Sequence, residues 1–285
     1  MDPTPAGTEP IKAPGLMKLL LEARAPFEYA ASLAAAPWLL SAPRGDGHAV
    51  LVYPGFLATD FSTRPLRRLL RTLGHDAHGW GQGRNVGPRG DTLQQALQRI
   101  EDLHRSSGRK LSLVGWSLGG LYARELAKQA PHAVRAVVTL GSPFAGPMQA
   151  NNAWRTYQWV HRHRPPEPPS RAELQTPPPV PTTSIYSRSD GVVAWPCSLQ
   201  VAGPMSESIE VAASHLGLGV NPLALYALAD RLAEAFAERM HQRVRTEFCF
   251  RKAVTAETSP IWTPSSPRAK RCTTLTKARP ASWCW

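Results

Sequence analysis

Lys110-Leu111-Ser112-Leu113-Val114-Gly115-Trp116-Ser117-Leu118-Gly119-Gly120 decides how this chain folds. Lys110–Val114 is a short apolar run of strand length, and from Leu118 to Gln129 the apolar residues recur at helical spacing. Between them, glycines stand two residues before and two after Ser117. They let the backbone turn sharply from strand into helix without a side-chain clash. A serine in that turn is lifted above the edge of a sheet with its hydroxyl exposed, whereas the same five-residue pattern without a strand before it and a helix after it is an ordinary surface turn.

Outward from this stretch, short apolar runs alternate with amphipathic segments, the pattern of strands and crossover helices that builds a parallel sheet. His48–Tyr53 is the first clear strand, followed by the turn Pro54-Gly55-Phe56. A helix is predicted over Thr63–Leu73 and ends at Gly74. The Gly-rich loop Gly79–Gly90 leads to a helix over Thr92–Ser106 with Asp91 as its N-cap. Ala133–Leu140 is the strand after the Ser117 helix. The rhythm stops between Ser142 and Pro181, where Trp154, Tyr157 and Trp159 precede a proline run that excludes sheet. It resumes with strands over Thr183–Ser187 and Ser208–Ala213, and a last helix from Pro222 to about Glu238. The expected organisation is an N-terminal helical segment, 1–45, an α/β domain, 46–240, with a cap insertion at 144–181, and a basic, disordered tail, 241–285. Leu16–Glu22 and Phe27–Leu40 read as helices that lie on the domain or gate its pocket.

The formal charge of +12 raises the question of nucleic acid, but its distribution answers it. From His241 onward nine Lys/Arg face two Asp/Glu, leaving +5 for the 240 residues before. No basic stripe is interleaved with aromatic residues of the kind that stack bases. No nucleic-acid partner is expected, and the tail is compatible with transient contact at an anionic lipid surface. Of four cysteines only Cys197 falls in the domain, and Cys249, Cys272 and Cys284 fall in the tail, which is no disulfide framework. The apolar stretch Leu16–Leu21 is interrupted by Lys18, too short to span a membrane and unlike a signal h-region. A cytoplasmic protein is expected, with secretion left open. Oligomeric state is not legible.

A serine hydroxyl needs a base to become a nucleophile, and the base needs an acid to hold its tautomer. Both are expected at the C-terminal ends of later strands, in the order Ser, Asp/Glu, His. Asp190 follows the strand Thr183–Ser187, and His215 follows Ser208–Ala213; no other histidine comes after the last predicted strand within the domain. Singly, Asp190-Gly191 is a turn dipeptide and His215 a loop histidine. Jointly with Ser117 they are the candidate catalytic residues. Leu118, directly after the serine, offers one backbone N–H to a developing oxyanion, and Phe56, after the first strand, offers the second. Gly55, Trp116, Trp154 and Trp159 are the candidate pocket residues. His161 and His163 lie in a basic loop with only Glu167 nearby, so no metal site is expected, and no cofactor is called for. Spacing suggests no chemistry for Asn85 or Asp91.

These residues resemble the lipase and esterase branch of the α/β-hydrolase superfamily over Asp46 to Glu238. The resemblance rests on Val52–Phe56, the elbow Gly115–Gly120, Thr139-Leu140-Gly141-Ser142-Pro143, Asp190–Val193 and Ser214-His215. It implies an α/β-hydrolase fold, a mostly parallel sheet flanked by helices. It also implies cleavage of small-molecule or lipid carboxylic esters through an acyl-enzyme on Ser117. Trp116 stands where many of these lipases carry histidine, which weighs against true lipase activity. A thioesterase, lactonase or acyltransferase would carry the same triad, and a catalytically silent relative would keep the pocket for a ligand.

Overall fold

The computed structural model describes residues 11–162 and 171–233. Outside them lie His163, the proline run up to Pro169, the end of the last predicted helix and the basic tail with its three cysteines. The chain divides into two compact units, Met1–Met240 and His241–Trp285, and all described residues belong to the first.

Helices α1 (Leu16–Leu20), α2 (Ala25–Ala34) and α3 (Ala36–Leu39), with a 3₁₀ turn at Leu21–Arg24, precede the first strand, β1 (Ala49–Tyr53). Then follow α4 (Arg64–Thr72), β2 (Asp76–Gly79), α5 (Thr92–Ser107), β3 (Leu111–Trp116), α6 (Leu118–Gln129) and β4 (Val134–Leu140). The insertion carries α7 (Trp154–Val160) and α8 (Arg171–Gln175), and β5 (Thr182–Tyr186), β6 (Ser206–Glu210) and α9 (Pro222–Ala233) complete the order. The six strands are parallel, in the order β2-β1-β3-β4-β5-β6. The direction of build reverses between β1 and β3, so a crevice opens beyond their C-terminal ends, the place where such sheets bind ligands.

Strand side chains alternate between two buried layers. Val50, Val52, Val114 and Val138 face Leu66 and Leu70 of α4 and Leu225, Leu228 and Leu232 of α9. Leu51, Tyr53, Leu113 and Val137 face Ile100 of α5 and Tyr122, Ala123 and Leu126 of α6. Because helices cover both faces, β1 is buried at every position and reads as a continuous apolar run. Each fully buried Leu or Ile in these layers stabilises the fold by roughly 1.5–3 kcal/mol. Among the described residues no helix is long and apolar enough to cross a membrane.

Three local expectations are corrected. β2 lies inside what read as a helix-to-loop passage. Its sequence, Asp-Ala-His-Gly, has no apolar run, yet it pairs with Ala49–Val52 as the edge strand. β6 spans Ser206–Glu210 rather than Ser208–Ala213, because its partner β5 ends at Tyr186, opposite Glu210. Val211 and Ala213 are buried in the core from the loop that follows, which is why they read as strand. Asp91 precedes α5 but does not cap it through its side chain; its carboxylate accepts the Gln95 amide at 2.6 Å instead.

Candidate active site

β3 ends in the turn foreseen around Ser117. Ser117 has φ 53° and ψ −119°, a strained conformation for a residue with a Cβ, costing of order 1–3 kcal/mol. The neighbouring glycines permit it by close approach. A Cβ on Gly115 would lie 2.3 Å from the Gly119 carbonyl oxygen, and one on Gly119 would lie 2.3 Å from the Tyr53 carbonyl oxygen. β1, β3 and α6 thus meet backbone to backbone beneath the serine. The Ser117 N–H donates to the Leu140 carbonyl at 2.8 Å, tying the turn to β4.

The loops after β5 and β6 bring two side chains to that serine. His215 Nε2 is 2.9 Å from Ser117 Oγ, and His215 Nδ1 is 2.7 Å from Asp190 Oδ2. The other Asp190 oxygen, Oδ1, accepts the N–H groups of Val192 at 2.8 Å and Val193 at 2.7 Å, which fixes the carboxylate in its own turn. His215 and Asp190 are both buried. Burial pulls the imidazole pKa down, but the Asp190 charge, its hydrogen bond and the charge of Glu22 outweigh it, so the pKa stands above its ordinary value of 6.5. Gly141, at φ 57°, backs the pair: a Cβ there would lie 3.1 Å from His215 Nδ1 and 3.2 Å from Asp190 Oδ2. This is what the Gly-Ser-Pro after β4 provides.

The backbone N–H groups of Phe56 and Leu118 have no acceptor among the described residues. Leu118 is the first residue of α6, where a helix leaves its amides unpaired and partly positive. The Phe56 turn is held by Asn85, for which spacing suggested no role. Asn85 is buried; its Nδ2 donates to the Pro54 carbonyl at 2.7 Å, its Oδ1 accepts the Gly87 N–H at 3.1 Å, and its own carbonyl accepts the Leu57 N–H at 2.6 Å. Leu57 sits at φ 60°, so this turn too is held against its local preference.

A cleft open to solvent lies over Ser117. Phe56, Leu118, Leu121 and Pro143 line it from the domain, Met148, Trp154 and Tyr157 from the insertion, and Val192 and Val193 from the Asp190 turn. The insertion therefore forms one wall. It is pinned by buried Arg124, which donates to Gln200 Oε1 and to the carbonyls of Leu174, Gln175 and Thr176, and by His161, whose Nε2 donates to the Val86 carbonyl.

Of the four pocket candidates, Trp154 lines the cleft, and Gly55 lies beneath the serine, its missing Cβ 3.5 Å from that of Ser117. Trp159 does not face the cleft. It is 65% exposed with the Arg162 guanidinium over its ring, because it is two residues past Tyr157 on α7 and so on another face of the helix. Trp116 is not a pocket residue either; its indole N–H donates to the His215 carbonyl at 3.0 Å and its ring packs by Gly219, so it buttresses the histidine loop. A second Ser, His and Asp also meet, at the opposite end of the sheet. His48 lies between Asp46 and Ser112. There Ser112 is wholly buried within β3, out of reach of any substrate.

The fold is an α/β-hydrolase fold, and a serine, a histidine and an aspartate come together at the switch point of its sheet. Residues 57–163 match the family described as alpha/beta hydrolase fold. A second match, to the activation domain of vitamin B12 dependent methionine synthase, covers residues 219–259. In that stretch, residues up to 233 form a loop and a helix that pack on the core of the sheet, and the rest lies outside the described residues. No curated protein matches the sequence. Among solved structures, lipase B of Aspergillus fumigatus superposes with a TM-score of 0.50 at 17% identity, over 66% of this chain and 53% of the fungal one. The chain thus spans about half the length of that lipase. A structure from LipS and LipT, two metagenome-derived lipolytic enzymes, superposes with a TM-score of 0.50 at 16% identity, over 67% of this chain and 93% of its own. At these identities the likeness is one of fold.

Proposed function

We propose that the chain is a serine hydrolase that cleaves carboxylic esters through an acyl-enzyme on Ser117. The observation that carries this reading is the unbroken line of hydrogen bonds from Asp190 Oδ2 through His215 to Ser117 Oγ, beneath a cleft. His215 Nε2 takes the Ser117 proton as Oγ attacks the ester carbonyl. Asp190 holds Nδ1–H and stabilises the imidazolium that forms. The negative oxygen of the tetrahedral intermediate is received by the unpaired N–H groups of Phe56 and Leu118, each worth about 10²–10³ in kcat in sites of this kind. The imidazolium returns its proton to the leaving alcohol. Water, deprotonated by the same imidazole, then releases the acid.

The substrate class follows from the walls. Apart from Ser117, Asn151 and the hydroxyl of Tyr157 the lining is apolar, which suits an acyl chain, and short to medium chains are the expected preference. A p-nitrophenyl ester series from acetate to palmitate tests this. Turnover that peaks at short to medium chains and vanishes in Ser117→Ala is expected. Folded protein that turns over no member, or only long emulsified triglycerides, contradicts it.

A further inference from the structure

Glu22 lies in the N-terminal 3₁₀ turn, well before the matched residues 57–163, and its neighbours Leu20 and Leu21 are exposed while it is 5% exposed. A carboxylate buried beneath apolar residues that stay in water is an inversion that only specific partners can sustain. Its partners are the two loops that carry Asp190 and His215. Oε1 accepts the Gly191 N–H at 2.7 Å and the His215 N–H at 2.9 Å, and Oε2 accepts the Leu216 N–H at 2.8 Å. One side chain therefore joins the residue after the acid to the backbone of the base.

The surrounding segment is shaped for this contact. A Cβ on Gly191 would lie 2.2 Å from the Lys18 carbonyl oxygen, so the N-terminal chain lies directly on the acid loop. Glu28 of α2 accepts the Ser214 N–H at 2.7 Å and pairs with Arg24, whose guanidinium also reaches Ser189 Oγ at 2.7 Å. We propose that Glu22 is a positioning residue, which locks the acid and histidine loops into one unit and adds a second negative charge behind the imidazole. The N-terminal segment is then part of the catalytic machinery rather than an appendage or a gate. The proposal rests on the reading of Ser117, Asp190 and His215 as a triad.

The charged groups facing His215 are Asp190 from the loop after β5 and Glu22 from the N-terminal turn, with the Arg24–Glu28 pair flanking at Ser189 and Ser214. From the other elements come uncharged partners, Ser117 after β3, the Trp116 indole and Gly141 after β4. Glu22 raises the basicity of His215 along with Asp190. Removing its charge therefore moves the imidazole pKa down, a change that loss of packing alone does not produce.

Glu22→Gln keeps the shape, removes the charge and turns one acceptor into a donor. The His215 imidazole is titrated by NMR in wild type and variant, beside steady-state hydrolysis of p-nitrophenyl butyrate. Expected are a His215 pKa and an acidic limb of kcat/KM both lower than in wild type, with kcat down roughly tenfold and KM within about twofold. Glu22→Asp keeps the charge but is one methylene short, so kcat falls while the limb stays; this variant decides the matter if Glu22→Gln does not fold. A folded variant with wild-type kcat, limb and titration overturns the proposal. If the His215 titration moves in Glu22→Gln but wild type shows no Ser117-dependent turnover, the coupling stands and the triad reading falls.

Discussion

Replacing Asn85 by alanine isolates the turn proposed to receive the oxyanion without touching Ser117, His215 or Asp190, the proposed triad. The side chain makes two buried hydrogen bonds, to the Pro54 carbonyl at 2.7 Å and from the Gly87 N–H at 3.1 Å. Each contributes about 0.5–1.5 kcal/mol net, and the groups left unpaired are buried, so the whole loss is about 2–4 kcal/mol. For a domain of this size that lowers Tm by roughly 5–15 °C. The backbone bonds between Asn85 and residues 57 and 58 survive, so the fold persists, but Pro54 is released two residues before the Phe56 N–H. With the turn held only on its Leu57 side, that donor drifts from the proposed oxyanion position. A kcat loss of about 10–100-fold is expected, up to the value of one donor, with little change in KM. Asn85→Asp keeps the acceptor for Gly87 but sets an oxygen against the Pro54 carbonyl, and should lose more than Asn85→Ala. Steady-state kinetics with p-nitrophenyl butyrate, beside thermal melts, decide this. Folded Asn85→Ala with kcat within twofold of wild type refutes the reasoning.

Asp190→Asn should leave KM nearly unchanged and lower kcat by about 10³–10⁴, because the imidazole loses both the correct tautomer and its charge partner; steady-state kinetics would show it. The base must be neutral and its pKa is raised, so the acidic limb of kcat/KM should fall above pH 6.5, and a limb at or below 6.5 would count against the charges placed around His215. His75 is buried with neither ring nitrogen paired, and burial, then the nearby charge of His48, lowers its pKa to about 4. The unfolded chain binds a proton near 6.5 that the folded protein refuses. Stability is thus whole above pH 6.5 and declines toward pH 4 by up to about 1.4 kcal/mol per unit. His75→Leu should flatten that slope in urea titrations.

What was legible in the sequence was local or periodic. The elbow is written in glycines that only close backbone approach explains, and β1 in a run buried on both faces. Chain order placed Asp190 and His215, because a parallel sheet delivers successive loops to one edge. The edge strand β2 was hidden because its pairing, not its composition, makes it a strand. Trp116 and Trp159 are apolar residues beside the site in sequence, yet one braces the histidine loop and the other faces water. The direction of these two side chains follows only once α7 and the His215 loop are placed. Glu22 and Asn85 act on backbone groups 169 and 31 residues away, contacts that no local pattern encodes.

Fluorophosphonate treatment of the native protein, followed by intact mass and peptide sequencing, tests most directly whether Ser117 is an activated nucleophile. A single adduct on the peptide containing Ser117, absent from Ser117→Ala and strongly slowed in His215→Gln, is expected. Folded wild-type protein that stays unlabelled, or a label that persists in Ser117→Ala, contradicts it.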